Sequence, residues 1–171
     1  MIDAVKTGDQ TVVLRFATPG DTSLILEFVH KLAKYERLSH EVVATEELLA
    51  DALFGERPVA EVILVHHGET PAGFALFFTS FSSYLGRPGI TIEDLFVEPD
   101  LRGKGIAKRL LGFIARLAIE RGCGRIEWGV LDWDDPAVRM YRKSGAEALS
   151  DWNVFRVSGE ALEQLATHQR D

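Results

Sequence analysis

The stretch from Thr91 to Leu111 (TIEDLFVEPDLRGKGIAKRLL) most constrains the fold, because a loop with two glycines joins an apolar strand to an amphipathic helix. Glycine adopts positive φ angles and leaves room for a ligand beside the backbone. A helix N-terminus presents unpaired N–H groups and the positive end of the helix dipole. The junction therefore predicts an anion site, although a tight turn without a ligand explains the two glycines, taken alone, equally well.

Segments with strand and helix patterns alternate along the 171-residue chain, with no linker, repeat or low-complexity tract between them. This order predicts a single α/β domain, residues 1–171, with a core of about residues 11–158. The sequence GETP predicts a hairpin between the second and third strands. The predicted strands are 11–16, 60–67, 72–81, 90–97, 125–131 and 153–157. The predicted helices are 19–36, 45–54, about 103–121, 134–145 and 158–169. Thr45 is the expected N-cap of the second of these helices, and Asp134 or Asp135 that of the fourth.

Composition is that of a globular protein, because 46% of the residues are hydrophobic and 26% are charged. No segment approaches the ~18 consecutive apolar residues of a membrane span, and the first ten residues lack the pattern of a secretory signal. The formal net charge of -7 disfavours nucleic-acid binding, which requires a basic surface. We therefore expect a cytoplasmic protein with neither a membrane nor a nucleic acid as partner.

Two other phosphate-binding patterns and a metal site fit the sequence poorly. A P-loop needs GxxxxGK followed by Ser or Thr, and no stretch matches it. A dinucleotide site needs a third Gly or Ala where GKGIAK has Lys108, which argues against a dehydrogenase. Metal-ligand spacing is absent from the histidines and the single cysteine, so we expect no metal site. These residues are His30, His40, His66, His67, His168 and Cys123.

Three motifs carry a resemblance to a known family. The segment RGKGIA, residues 102–107, resembles the Arg/Gln-x-x-Gly-x-Gly/Ala signature of the GNAT superfamily of N-acetyltransferases. LAKYE in the first helix, IEDLFVEPDLRGKGIAKRLL and WDDPAVRMYRKSGA have the order and spacing of the diamine (spermidine/spermine) acetyltransferase branch. The resemblance extends from Leu14 to about Val157.

This resemblance implies a fold and an activity. The implied GNAT fold is an α/β (α+β) fold with a central mixed, mostly antiparallel twisted sheet and helices on both faces. The implied activity is acetyl transfer from acetyl-CoA to a primary amine of a diamine, a polyamine or a lysine-like amino acid. The resemblance also implies a homodimer.

Acetyl transfer needs a base and benefits from an acid. A lysine-like amine is almost fully protonated at pH 7, so a base must accept its proton before the nitrogen attacks the thioester. Strict alternation along 92–97 predicts Ile92, Asp94 and Phe96 on one face and the intervening residues, Glu93, Leu95 and Val97, on the other. Either carboxylate could serve only as a hydrogen-bond acceptor, but the resemblance assigns the base to Glu93.

The acid that protonates the leaving thiolate is expected on the helix PAVRMYRKSG. Tyr141 occupies the position of the family's tyrosine motif, although periodicity alone also fits a core tyrosine. Loss of both chemical groups would leave a non-catalytic acyl-CoA-binding or regulatory module, which is the alternative reading. The presence of Glu93 and Tyr141 argues against that alternative.

The resemblance also implies which residues contact acetyl-CoA and the amine. Asp134 departs from the family pattern, which has Asn before this helix, and an ionised aspartate cannot donate to the pantetheine arm. Tyr35 and Glu36 match a segment on the amine side, where an acid beside an aromatic ring suits an ammonium group. Polyamine enzymes of the branch that the chain resembles carry an acid in the loop before the central strand, whereas residues 80–89 contain no carboxylate, which disfavours a long polycation. The implied cofactor-binding residues are Phe96, Val97, Arg102, Gly103, Lys104, Gly105, Ile106, Ala107, Lys108 and Asp134.

Overall fold

A computed structural model describes residues 2–7 and 10–167 of the chain. In this part of the chain, six strands form one sheet in the order β1-β2-β3-β4-β5-β6. Neighbouring strands are antiparallel except β5 and β6, which are parallel. The strands are β1 Ile2–Thr7, β2 Gln10–Phe16, β3 Glu61–His67, β4 Thr70–Ser82, β5 Arg87–Val97 and β6 Ile126–Trp128. The helices are α1 Thr22–Glu36, α2 Glu46–Phe54, α3 Ile106–Glu120, α4 Asp135–Lys143 and α5 Glu160–Thr167.

Both faces of the sheet are covered by helices, so the predicted mixed, mostly antiparallel sheet between helices is confirmed. Helix α3 packs its apolar stripe on one face, against alternate residues of β2 to β5. Helices α1 and α2 pack on the other face, around a stacked pair of rings, Phe28 and Phe74, with centroids 5.5 Å apart. The α3 stripe consists of Ile106, Leu110, Phe113, Ile114, Leu117 and Ala118.

Two predicted helix caps are present. The Thr45 side chain accepts a hydrogen bond of 3.3 Å from the backbone N–H of Leu48 at the start of α2. The Asp134 carboxylate accepts one of 3.2 Å from the N–H of Ala137 at the start of α4. These short polar side chains therefore set where the two helices begin.

The largest error of the sequence prediction concerns residues 153–157, predicted as a strand. The structure gives this segment no regular secondary structure, and Val154 and Phe155 are 96% and 91% exposed. The apolar pattern suits a half-buried strand, but a strand needs a neighbour for its hydrogen bonds, and no described segment of the chain supplies one.

Smaller differences concern element ends. Strand β1 was not predicted, α3 begins at Ile106 instead of Gly103, and β6 ends at Trp128 instead of Leu131. Gly103 and Gly105 do not join the helix because their φ angles are positive. Residues 168–169 of the predicted last helix lie outside the described residues.

A β-bulge in β5 overturns the predicted alternation. Leu76 of β4 pairs with Asp94, but the next residue, Phe77, pairs with Ile92, so Glu93 is an extra residue opposite the β4 backbone. Ile92 consequently packs in the α3 core together with Leu95, three residues later, instead of sharing a face with Asp94. Asp94 lies on the α1 side, opposite Leu76.

The sheet opens between its two parallel strands. The pairing of β5 with β6 covers only residues 90–92, whereas β5 continues to Val97. The last part of β5 therefore diverges from the chain that leaves β6 at Gly129. This opening positions the site described next.

Candidate active site

A cavity of about 240 Å³ occupies the opening in the sheet. Its walls come from the end of α1, the last half of β5, the chain after β6 and the first two turns of α4. The lining combines apolar side chains with a few polar groups, which is the usual character of a small-molecule site. Polar and aromatic groups of the lining are Tyr35, Glu36, Glu93, Arg102, Trp128, Asp134 and Tyr141.

The structure brings most of the predicted site residues together around this cavity. Both predicted catalytic residues and both predicted amine-side residues line it, as do five of the predicted cofactor residues. Those five are Phe96, Val97, Arg102, Ala107 and Asp134. The remaining predicted cofactor residues do not line the cavity but follow Arg102 in the loop and the first turn of α3: Gly103, Lys104, Gly105, Ile106 and Lys108.

The two loop glycines have the conformation that only glycine adopts readily. Gly103 and Gly105 have φ angles of 76° and 79°. A Cβ atom at either position would meet no atom within 4 Å, so the space beside the backbone is open. Gly105 is the N-cap residue of α3, which directs the first amides of the helix toward this open space. The loop thus fits a diphosphate group.

Four carboxylates at or beside the cavity interact electrostatically. Burial raises the pKa of Asp94 to about 6, and the charges of Glu93 and Glu36 add to this rise. Burial, followed by the charge of Asp134, also raises the pKa of Glu36. In the lining itself, the carboxylates Glu36, Glu93 and Asp134 outnumber the cation Arg102, which favours a cationic guest.

The buried carboxylate of β5 is Asp94, which the resemblance does not assign as the base. Its pKa of about 6 arises because it lies under α1, whereas the bulge leaves the Glu93 side chain exposed at the cavity wall. No sequence signal for the bulge exists in β5 itself, since the extra residue is defined only by its pairing with β4.

Tyr141 lies in the cavity wall on α4. Its ring makes an edge contact with Trp128, with centroids 5.0 Å apart. Burial raises the pKa of Tyr141 to about 12, and Asp134 and Glu36 contribute through their charges. The phenol therefore keeps its proton at all physiological pH values and can donate a hydrogen bond.

Asp134 has two partners inside the protein. One carboxylate oxygen accepts the Ala137 N–H as the α4 cap, and the other accepts a 3.0 Å hydrogen bond from the Tyr35 hydroxyl. Both oxygens thus already accept a hydrogen bond within the protein, and the contact with the pantetheine arm stays a prediction. Sequence reasoning missed this bond because it joins residues 99 positions apart.

Two further properties concern residues 2–7 and 10–167. No helix among them is long and apolar enough to cross a membrane. These residues also include no group of three or more His, Cys, Asp or Glu side chains that could hold a metal ion.

A mixed sheet that opens between parallel strands, with a glycine loop at the start of a helix beside the opening, defines the class of acetyltransferases. The chain belongs to the acetyltransferase (GNAT) family, whose family model matches residues 27–146. It is an N-acetyltransferase of the diamine acetyltransferase-like branch, and the resemblance found in the sequence is confirmed.

Relatives and solved structures agree with this assignment. The chain is 37% identical to the bovine (Bos taurus) thialysine N-epsilon-acetyltransferase, over 91% of this chain and 97% of that protein. It is 32% identical to the L-ornithine N5-acetyltransferase of Arabidopsis thaliana, over 89% of this chain and 86% of that protein. An integron cassette protein from the mobile metagenome of V. cholerae has a similar structure, with a TM-score of 0.75, 27% identity and coverage of 91% and 98% of the two chains.

Proposed function

We propose that this enzyme transfers the acetyl group of acetyl-CoA to a primary amine of a small molecule by direct attack. The acceptor is a diamine, a polyamine or a lysine-like amino acid. The observation that carries the proposal is a single cavity lined by Glu93, Tyr141 and the start of the glycine loop. Relatives named for thialysine and ornithine acetylation support an acceptor with a side-chain amine.

The glycine loop is the proposed site of the acetyl-CoA diphosphate. Backbone amides from Arg102 to Ala107 surround the open space at the N-terminus of α3, and Lys104 and Lys108 add positive charge nearby. Backbone amides of β5 beyond its pairing with β6, around Phe96 and Val97, are the proposed donors to the pantetheine arm and to the oxyanion of the tetrahedral intermediate.

The proposed chemistry assigns one proton to each of two groups. Glu93 accepts the proton of the bound ammonium group, directly or through water, so that the neutral nitrogen attacks the thioester carbonyl. Collapse of the tetrahedral intermediate breaks the carbon–sulfur bond, and Tyr141 donates its hydroxyl proton to the leaving thiolate. The nitrogen releases its second proton to water as the amide forms. The amide product and free coenzyme A then leave.

We expect short primary amines to be better acceptors than spermine. Glu36 is the acid at the amine end of the cavity, and the loop 80–89 supplies no second carboxylate for a long polycation. Initial rates of thiol release at one pH, measured against the concentration of spermine, spermidine, a short diamine and lysine, test this. A clear preference for spermine contradicts the acceptor assignment, and no thiol release with any amine supports the non-catalytic acyl-CoA-binding module.

Glu36→Gln tests the amine end within the same assay. Loss of the charge is expected to raise the Michaelis constant for the amine about 10-fold, with that for acetyl-CoA unchanged. Glu69→Gln is the matched control, because Glu69 is exposed in the β3–β4 turn and does not line the cavity. Equal effects of the two substitutions would contradict this role of Glu36.

The homodimer is also proposed, with the segment 152–157 as its contact surface. Trp152, Val154, Phe155 and Val157 are exposed to 70%, 96%, 91% and 48%, although their pattern is that of a strand. Strand β6 ends the sheet, so its outer edge offers unpaired backbone groups. A second copy of this chain can provide both a strand partner for the exposed segment and a neighbour for the edge of β6, because the segment of each copy can pair with the edge of the other.

Val154→Asp is expected to convert the dimer to a monomer, because it places a charge in the proposed contact. The mass in solution, measured by light scattering after size-exclusion chromatography, reports this. Val43→Asp is the control, since Val43 is also 82% exposed but lies between α1 and α2. A monomeric wild-type protein, or a dimeric Val154→Asp, would contradict the proposal.

A single domain over residues 1–171 and a cytoplasmic location stay predictions from the sequence.

A further inference from the structure

The contacts of Tyr35 differ from those expected of an amine-binding residue. Its hydroxyl donates to Asp134 at 3.0 Å. The guanidinium carbon of Arg102 lies 4.2 Å from the centre of its ring, and the Trp133 ring lies at 5.6 Å between centroids. The hydroxyl and the π-face of Tyr35 are thus already engaged by the protein, and the cation on the ring repels a second one.

Arg102 connects Tyr35 to the glycine loop. Its Nε atom donates a 3.0 Å hydrogen bond to the carbonyl oxygen of Val97, which closes the segment between the end of β5 and the first loop residue. The same guanidinium also lies 5.8 Å from the centre of the Phe96 ring. Arg102 is otherwise exposed, so the Tyr35 ring and the Val97 carbonyl together hold its position.

Asp134 connects Tyr35 to the helix that carries Tyr141. Asp134 is the N-cap of α4, and its two carboxylate oxygens serve the cap and the Tyr35 hydroxyl separately. A change at Tyr35 therefore acts on two elements in opposite walls of the cavity: the glycine loop through Arg102, and α4 through Asp134.

We infer that Tyr35 is a positioning residue, which holds the acetyl-CoA loop and helix α4 in register through Arg102 and Asp134. The inference rests on the proposed function, because it assumes that the glycine loop binds acetyl-CoA. It assigns different roles to adjacent residues: Tyr35 acts on the cofactor side, and Glu36 acts on the amine side.

Calorimetric titration with acetyl-CoA alone, without any amine, separates these roles. Tyr35→Leu removes the ring from Arg102 and the bond to Asp134, and is expected to weaken acetyl-CoA binding about 10-fold. Glu36→Gln is the neighbouring control and is expected to leave this affinity unchanged. Tyr35→Phe keeps the ring and loses only the bond to Asp134, so it is expected to lower kcat about 5-fold while the Michaelis constant for the amine stays constant.

The outcomes are distinct. The inference is overturned if Tyr35→Leu binds acetyl-CoA as tightly as the wild-type protein does. It is also overturned if Tyr35→Phe raises the Michaelis constant for the amine while kcat is unchanged. Either result leaves the proposed function intact. Failure of the wild-type protein to bind acetyl-CoA overturns both. If Tyr35→Leu melts at a much lower temperature than the wild-type protein, its affinity is not used. Tyr35→Phe, which preserves the packing, then tests the inference through its separate effects on kcat and on the Michaelis constant for the amine.

Discussion

Tyr141→Phe is expected to lower kcat about 100- to 10,000-fold, the range of a general acid, with little change in the affinity for acetyl-CoA. The substitution keeps the edge contact of the ring with Trp128, so only the hydroxyl is lost. Because the pKa of Tyr141 is raised to about 12, the hydroxyl of the wild-type enzyme is protonated below that pH and loses its proton only as the pH rises through it. Deprotonation of Tyr141 therefore cannot produce a fall in activity below about pH 11.

Steady-state kinetics and the melting temperatures of the wild-type enzyme and Tyr141→Phe test this expectation. Tyr84→Phe is the matched control, because this substitution also removes only a hydroxyl group. Tyr84 is 89% exposed in the loop between β4 and β5, away from the cavity. Unaltered turnover of Tyr141→Phe, at normal cofactor affinity, would return Tyr141 to a purely structural role in the wall of the cavity.

The second large effect is expected for Gly105→Asp, which should weaken acetyl-CoA binding at least about 100-fold. A unit charge about 4 Å from a phosphate charge costs about 4 kcal/mol at an effective dielectric constant of about 20, and the side chain also fills the space beside the backbone. A Cβ there meets no atom within 4 Å, so the cost to the fold is the strain of a non-glycine residue at positive φ, about 1–2 kcal/mol.

Calorimetry with acetyl-CoA measures the effect, and Gly122→Asp controls for backbone strain. Gly122 has a φ of 69° and an equally open Cβ position, but it lies beyond the opposite end of α3. Equal affinities of the two variants and the wild-type protein would show that the diphosphate binds elsewhere.

The parts of the fold that were predictable from the sequence depend on local signals. The helix caps at Thr45 and Asp134, the apolar stripe of α3 and the glycines at 103 and 105 each act within a few residues, and each was found where the sequence placed it. The segment 153–157 also has a clear local pattern, yet it forms no strand in the described chain. Strand formation depends on a partner, and periodicity shows only that a partner would be accepted.

The same distinction applies to the site. Sequence motifs predicted the charged side chains and the two tyrosines that line the cavity, because the family resemblance supplied their positions. They could not predict the bond between Tyr35 and Asp134 or the elevated pKa of Asp94, since both arise from contacts between distant elements. Strict alternation failed at Glu93 for a related reason: a bulge is a property of two strands, and neither strand alone records it.

The bulge separates the packing of the core from the chemistry of the site, two requirements that normally compete at a single position of a sheet. In a regular strand every side chain belongs to one face, so its size and polarity are restricted by the core that it enters. Glu93 is the residue that the pairing of β4 and β5 leaves over, and both cores are complete without it. The enzyme can therefore change the chemistry at this position without repacking its interior, and adaptation to a new acceptor can begin there at little cost in stability.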